Sequence, residues 1–272
     1  MKRVFFFLFV IFLSLGIGKI WHWAKDGFSI PRIQGWEKVA SYPPLLPEAV
    51  AALEQPYRYL GRGRQCFAFV SEDGKYVLKF PRLDRYRMPF WLRALNVSFL
   101  DQKREELAAS HATREKMILN SFRISWEELR EQTGLLGVHM PESVSTKHLF
   151  LIDRVGRKHE VPLEKMAFIL QKKERPLLSA LKTASQQEKE KILSAFFDLI
   201  AEWREKKVLN KDPKFIRDIG YDGTRAYQID IGSFYRKEGV ENFLQEPAGH
   251  MREWLVQQEP QLLDVFNQLL AR

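Results

Sequence analysis

Hydrophobic and polar positions along the chain fall into stretches of different period. Residues 66–70 and 76–80 are apolar-rich runs separated by Ser71-Glu72-Asp73-Gly74-Lys75. Asp-Gly between two such runs predicts a hairpin with a type I′ turn, which needs positive φ at both central residues. Pairing outward from that turn sets Val70 opposite Val77, Phe69 opposite Leu78, Ala68 opposite Lys79 and Phe67 opposite Phe80. Because side chains alternate faces, one face carries Phe67, Phe69, Leu78 and Phe80, a thick packing layer. The other carries Ala68, Val70, Val77 and Lys79, a small apolar surface with one cation. Residues 186–206 repeat apolar positions at helical spacing, with Ile192, Leu193, Phe196, Phe197, Leu199, Ile200 and Trp203 on one wide face. Residues 101–119 and 121–133 predict two further helices, the second ended by Gly134. Residues 148–155 and 165–171 read as strands, and 216–231 as a second hairpin turning at Asp222-Gly223. Helices close the chain from residue 239, one of them starting at Pro260.

The N-terminal pattern is different in kind. Lys2 and Arg3 precede fifteen uncharged, mostly apolar residues, 4–18, followed by Lys19 and Ile20-Trp21-His22-Trp23. Two readings stand: a membrane anchor, with the tryptophans in an interfacial belt, or a cleaved signal peptide, with Gly16 and Gly18 as a small-x-small site. The segment is slightly short for a spanning helix of about twenty residues. Residues 26–46, broken by prolines, read as a linker. Residues 82–93 mix Arg82, Arg85, Arg87 and Arg93 with Met88, Phe90, Trp91 and Leu92. They read as a loop with a solvated basic face or as a patch on a membrane surface.

Composition narrows the function classes. The net charge of +9 over 272 residues favours acidic partners: anionic lipid, phosphorylated ligands or nucleic acid. One cysteine, Cys66, excludes an intramolecular disulfide framework. There is no Cys/His set with zinc spacing and no Walker-type phosphate loop. The basic residues are scattered and match no nucleic-acid motif, so a basic lipid- or nucleic-acid-binding module ranks last among the alternatives.

The chemistry lies in an ordered set of residues. Gly61 and Gly63 precede the hairpin, where backbone can approach a phosphate closely. Lys79 sits among the small residues. Asp212 follows the long helix, in Asn210-Lys211-Asp212-Pro213-Lys214, and Asp230 follows eighteen residues later, in Ile229-Asp230-Ile231-Gly232. Phosphoryl transfer needs one carboxylate to orient the attacking hydroxyl and another to hold the metal on the phosphates.

These residues resemble the protein-kinase-like superfamily. The segment from Gly61 to Cys66 resembles its G-x-G-x-x-G loop, with Cys66 at the third glycine, and Val77-Leu78-Lys79 resembles its A-x-K strand. Asn210-Lys211-Asp212 resembles H-R-D, and Asp230-Ile231-Gly232 resembles D-F-G at the family's usual interval. The resemblance implies an α+β, two-lobed kinase-like fold: a small antiparallel sheet lobe over residues 57–171 with inserted helices, and a reduced, mostly helical lobe over 172–272. A segment 1–25 (anchor or signal) and a linker with a short helix, 26–56, precede them. Implied cofactors are ATP and Mg²⁺. Asp212 and Lys214 take catalytic roles; Gly61, Gly63, Ala68, Val77 and Lys79 bind nucleotide; Asp230 binds metal, and Asp218, one residue past the family's second metal position, joins it only with a one-residue shift of the loop. Of Glu127, Glu128 and Glu131, Glu128 is the preferred partner of the lysine. An ATP-using domain on an anchor implies that it faces the cytoplasm; a cleaved signal implies export.

Two departures bear on activity. Arg217 stands where the family has a metal-binding asparagine, five residues past the catalytic aspartate, and a permanent cation cannot ligate Mg²⁺. The A-P-E segment is absent, and forty residues follow Gly232. A phosphotransferase and an inactive pseudokinase acting as a binding or scaffold module at a membrane both remain open, and the acceptor is unspecified.

Overall fold

A computed structural model describes residues 16–35, 42–95, 97–141, 148–212, 215–237 and 245–271. The chain is α+β and divides into two compact units, Met1–Arg87 with His139–Leu170, and Met88–Val138 with Gln171–Arg272. Most of the apolar N-terminal run, residues 1–15, lies outside the described residues, as does Lys214. Among the described residues no helix is long and apolar enough to cross a membrane.

The first unit begins with helix α1 (residues 16–24) and includes α2 (Pro47–Ala52). Its sheet is built on β1 (Tyr57–Arg62), β2 (Cys66–Ser71) and β3 (Tyr76–Pro81). The β2/β3 register is the expected one, with Phe67↔Phe80, Ala68↔Lys79, Phe69↔Leu78 and Val70↔Val77. The turn between them is wider than a two-residue type I′ turn: Gly74 alone takes positive φ, at +73°. The Asp73 carboxylate instead accepts bonds from the Ser71 hydroxyl (2.7 Å) and the Lys75 amide (3.1 Å), stabilising a four-residue loop with unchanged register.

The expected apolar layer is fully realised. Phe67, Phe69, Leu78 and Phe80 are all 0% exposed, whereas Ala68 and Lys79 on the opposite face are half-buried. Edge-to-face contacts join Phe69 to Phe80 (5.8 Å) and Phe80 to Phe168 (6.2 Å). Phe28, from the segment read as a linker, packs edge-on against Phe67 (5.4 Å) and Phe69 (5.1 Å), and Ile33 is also buried, so this arm contributes to the core.

The sheet continues with β4 (Leu135–His139), β5 (His148–Ile152), β6 (Lys158–Pro162) and β7 (Phe168–Lys172), in the order β4-β7-β3-β2-β1-β5-β6. Strands β4 and β7 each run through the boundary between the units. The expectation of a purely antiparallel sheet is corrected, because β5 lies parallel to β1 with Tyr57↔Leu151 and Arg58↔Ile152. A parallel neighbour needs a long connection rather than a turn, and the chain between residues 62 and 148 supplies one. Strand β6 was not expected; it pairs back on β5 through the turn at Gly156.

The second unit contains α3 (Phe90–Ala94), α4 (Asp101–Glu127), α5 (Leu177–Thr183), α6 (Gln186–Glu205), α7 (Gln245–Gln258) and α8 (Leu263–Leu270). It also holds the short strands β8 (Arg175–Pro176), β9 (Val208–Asn210), β10 (Ile219–Tyr221), β11 (Ala226–Gln228) and β12 (Phe234–Arg236). The two helices expected over 101–133 are one, ending at Glu127. No glycine or proline interrupts residues 101–127, so nothing stops the backbone ladder before that point. Helix α6 starts on a capping box: the Ser185 amide donates to Glu188 (2.9 Å) while the Ser185 hydroxyl accepts from the Glu188 amide. Its apolar face is buried as the periodicity required, with Phe197 against Phe266 (5.3 Å) and Trp203 against Phe234 (5.4 Å).

Candidate functional site

The first unit positions Lys79 and the glycines. Strand β1 carries a bulge: Tyr59 pairs with Phe69 but Gly61 with Ala68, leaving Leu60 as the extra residue. The bulge moves Gly61 one rung, onto the strand position that Lys79 flanks from the other side. Beyond it, the Gly63 amide donates to the Cys66 carbonyl (2.9 Å), closing a tight turn. Neither Gly61 nor Gly63 has positive φ, and a Cβ at Gly61 would meet nothing within 4 Å. Gly61 therefore leaves an uncovered backbone, while a Cβ at Gly63 would make an ordinary contact with the Cys66 carbonyl at 3.6 Å; neither glycine relieves strain. Arg82 braces the turn, with its guanidinium over the Phe67 ring (5.4 Å) and ion-paired to Asp84 (2.9 Å). Arg87 donates to the carbonyls of Gln34 and Gly35 (both 3.2 Å). Two arginines of the 82–93 stretch thus carry internal bonds. The side chains of Phe90 and Trp91 are outside the described set.

The second unit positions the aspartates. Helix α6 ends through Lys206, and Lys207, at φ +55°, turns the chain into β9. Strand β9 pairs antiparallel with β12: Asn210↔Phe234, Leu209↔Tyr235, Val208↔Arg236. The ladder runs one step further, from the Lys211 amide to the Ser233 carbonyl (3.0 Å). Continuing that register sets position 212 across from 232, with Asp230 two residues beyond. The ladder therefore delivers the Asp212 and Asp230 loops to the same end of one two-stranded element. The Asp212 amide donates to Asn210 Oδ1 (2.9 Å), so Asn210 shapes the loop that the resemblance assigned to a catalytic motif. Asp230 is exposed, and its Oδ1 accepts from the Gly232 amide (3.1 Å), which fixes the carboxylate's orientation. Asp218, half-buried at the end of the 3₁₀ turn Phe215–Asp218, uses its backbone carbonyl to accept from Ile229 (2.7 Å). Arg217 beside it is exposed.

Between Asp218 and Asp230 the hairpin turn is held by Asp222. Its carboxylate accepts from the Thr224 amide (2.7 Å), the Arg225 amide (2.8 Å) and the Tyr227 hydroxyl (2.8 Å). Burial pushes this acid up, but the hydrogen bonds outweigh it and bring its pKa from 3.8 down to about 2. The folded value lies below the unfolded one, so the turn's contribution is full above pH 4 and lost as pH falls through about 2. Acid titration followed by exchange of the Thr224 and Arg225 amides is expected to show protection retained to below pH 3. At neutral pH Asp222 is committed to its turn.

Ser121 of α4 was not singled out from sequence. It is 0% exposed, donates to the Ile231 carbonyl and accepts from the Phe234 amide (2.7 Å), clamping both flanks of Gly232-Ser233. The available signal was small, polar Ser121 and Ser125 on the buried stripe of an otherwise charge-dense helix.

Glu128 has a different place from the one the resemblance suggested. It caps α4; its carboxylate takes both Nε (3.2 Å) and Nη2 (2.8 Å) of Arg236, and its carbonyl accepts from Lys206 (2.7 Å). Glu127 pairs with Arg123 (2.8 Å) within the helix, and Glu131 is exposed. Glu128 thus ties together the ends of α4 and α6 and strand β12. A bidentate guanidinium pair satisfies both carboxylate oxygens.

Among the described residues no three His, Cys, Asp or Glu side chains gather as a metal set. A Mg²⁺ on nucleotide phosphates needs only one or two protein carboxylates, and Asp230 and Asp218 are carboxylates of that kind on either side of the hairpin. A separate cavity of about 390 Å³ lies between α6 and the hairpin at residues 224–226, lined by Asp198, Glu202, Glu205 and Arg225, without Asp212 or Asp230.

No protein-family model and no curated protein matches this chain. Among solved structures, it is similar to a crystal structure of WbdD at 19% identity, covering 82% of this chain and 48% of that one, with a TM-score of 0.41. A second, of the bifunctional kinase-methyltransferase WbdD, gives 19% identity, 76% and 43% coverage and a TM-score of 0.38. A structure of monomeric WbdD gives 16%, 88% and 61%, and 0.40. The chain spans about half the length of the first two WbdD chains.

Proposed function

We propose that this protein is a membrane-anchored, kinase-like protein that binds Mg·ATP and transfers its terminal phosphoryl group to a hydroxyl acceptor. The observation that carries the proposal is the β9–β12 ladder, which brings the loops of Asp212 and Asp230 to one end of a single element. Asp212 orients the acceptor hydroxyl, and Asp230, with Asp218, holds Mg²⁺. In the other unit Lys79 neutralises the α- and β-phosphates, Ala68 and Val77 line the adenine, and the backbone of Gly61 and Gly63 covers the phosphates. Lys214 would add positive charge to the transferred group. The Glu128 role is not retained, since Arg236 occupies its carboxylate.

Mg·ATP binding, read by thermal shift on the whole chain, tests this. Lys79→Ala is expected to weaken affinity by roughly 10- to 100-fold, the loss of one charge-assisted contact, while leaving the melting temperature without nucleotide nearly unchanged. Equal affinity in the folded variant would remove the lysine from the site.

The second reading, a pseudokinase that binds without transfer, is favoured by one residue, Arg217. Arg217→Asn restores a ligand type that can reach Mg²⁺ and is expected to raise metal affinity or turnover, because the exposed arginine has no packing role to lose. An unchanged metal titration would show that Arg217 is not what limits the site.

A further inference from the structure

We infer that the first unit lies directly against an anionic membrane surface, through the turn between β5 and β6 together with the exposed apolar side chains of α1. This rests on the membrane-anchor reading and adds to it a contact made by the folded unit itself.

The apolar run of residues 4–18 leads straight into α1, whose Ile17, Ile20, Trp21 and Trp23 are 59%, 68%, 49% and 73% exposed. Four large apolar side chains in water on one short helix are unfavourable unless something covers them. The helix is not a free tether. It ends in a left-handed pair, Asp26 at φ +50° and Gly27 at φ +72°, where the Gly27 amide donates to the His22 carbonyl (2.8 Å) and the Asp26 amide to Trp23 (2.9 Å). Asp26, one of the few non-glycine types that adopts that conformation readily, is held by the Tyr59 hydroxyl (2.7 Å) and Arg62 (3.3 Å). A Cβ at Gly27 would meet Arg62 at 2.8 Å, and Phe28 is locked in the core. The chain leaving the apolar run is thus bolted to β1 within a few residues.

The β5–β6 turn stands beside it. Asp153, fully buried, accepts from the amides of Val155 (3.1 Å) and Arg157 (2.8 Å) and from His159 (2.9 Å). This rigid turn presents Arg154, Val155 and Arg157 outward, with Val155 42% exposed. The Arg154 guanidinium lies 5.9 Å from the Trp23 ring centre, and Lys25 lies 5.5 Å from that of Trp21. Paired indole and cation, beside an apolar helix and with Lys19 and Lys158 exposed nearby in sequence, match a surface of apolar chains and anionic headgroups.

The register supplies an internal control. Strand β5 is parallel to β1 and β2 is antiparallel to it, so the two chains leave β1 in opposite directions: the 153–157 turn begins level with Tyr59 and points toward the C-terminal end of β1, while Glu72 lies beside Pro56 at its N-terminal end. The test uses the full chain with Cys66→Ser and a single environment-sensitive fluorophore at Val155→Cys or Glu72→Cys, mixed with vesicles carrying brominated lipid quencher. Vesicles are phosphatidylcholine alone or phosphatidylcholine with phosphatidylserine. Expected are co-flotation with vesicles, quenching at 155 that is strong with phosphatidylserine and weak without it, and none at 72. Arg154→Glu with Arg157→Glu is expected to reduce the quenching at 155 at least threefold while flotation persists. Flotation with an unquenched 155 probe would overturn the docking surface and leave the anchor standing. Failure to float would overturn both.

Discussion

Asp230→Asn is expected to lower Mg·ATP-dependent phosphoryl transfer by roughly 10²- to 10³-fold, the usual loss when one charge stabilising the transferred group is removed. The asparagine keeps an oxygen to accept from the Gly232 amide, so the loop retains its shape and only the charge is lost. Asp230 is exposed, and stability should therefore move by no more than about 0.5 kcal/mol. Asp212→Ala should lower turnover comparably while leaving Mg²⁺ affinity nearly intact if, as proposed, it acts on the acceptor rather than the metal. Turnover and metal titration on the same samples separate the two roles. Retained turnover in a folded Asp230→Asn protein would refute its assignment to the metal.

Ser121→Ala should destabilise the second unit by about 2–4 kcal/mol, since it strands two buried backbone groups, the Ile231 carbonyl and the Phe234 amide, each costing about 1–3 kcal/mol unpaired. Denaturant unfolding measures this. The same change frees the segment that orients Asp230, so Mg²⁺ affinity should fall even well below the unfolding midpoint. If stability drops while Mg²⁺ affinity remains equal, Ser121 is a packing residue with no bearing on the metal loop.

Within each unit, elements differ in how far their local sequence foretold them. The β2/β3 hairpin was legible residue by residue, because period-two alternation with a thick phenylalanine layer admits one register; a one-residue slip would turn either Phe67 and Phe69 or Leu78 and Phe80 out of that layer. Helix α6 was legible because its apolar face is wide and its start carries a capping box. The hairpin at Asp222-Gly223 followed from turn chemistry. By contrast, β6 was missed because Lys158-His159-Glu160 is polar, as suits an edge strand whose neighbour, β5, lies on one side only. Phe28 looked like part of a linker because Pro31, Pro43 and Pro44 follow it, yet its ring is buried between Phe67 and Phe69.

Glu128 shows the same limit at the candidate site. Its helical phase was compatible with holding a strand lysine, and no local feature announced Arg236, 108 residues away, as its partner. Ser121 is separated from Ile231 by 110 residues. A pair so distant leaves no periodic trace in either segment.

What the sequence by itself determined here is which face of each element is apolar, where turns fall, and in what order the glycines, Lys79, Asp212 and Asp230 occur. Periodicity and turn chemistry act over a few residues, and local sterics enforce them whatever the rest of the chain does. Tertiary structure alone decided that β5 runs parallel beside β1, that β9 meets β12 so that two aspartate loops share an end, and that Ser121 and Arg236 hold that neighbourhood in place. Those choices depend on which distant groups can satisfy one another once buried, a condition met only in the folded chain.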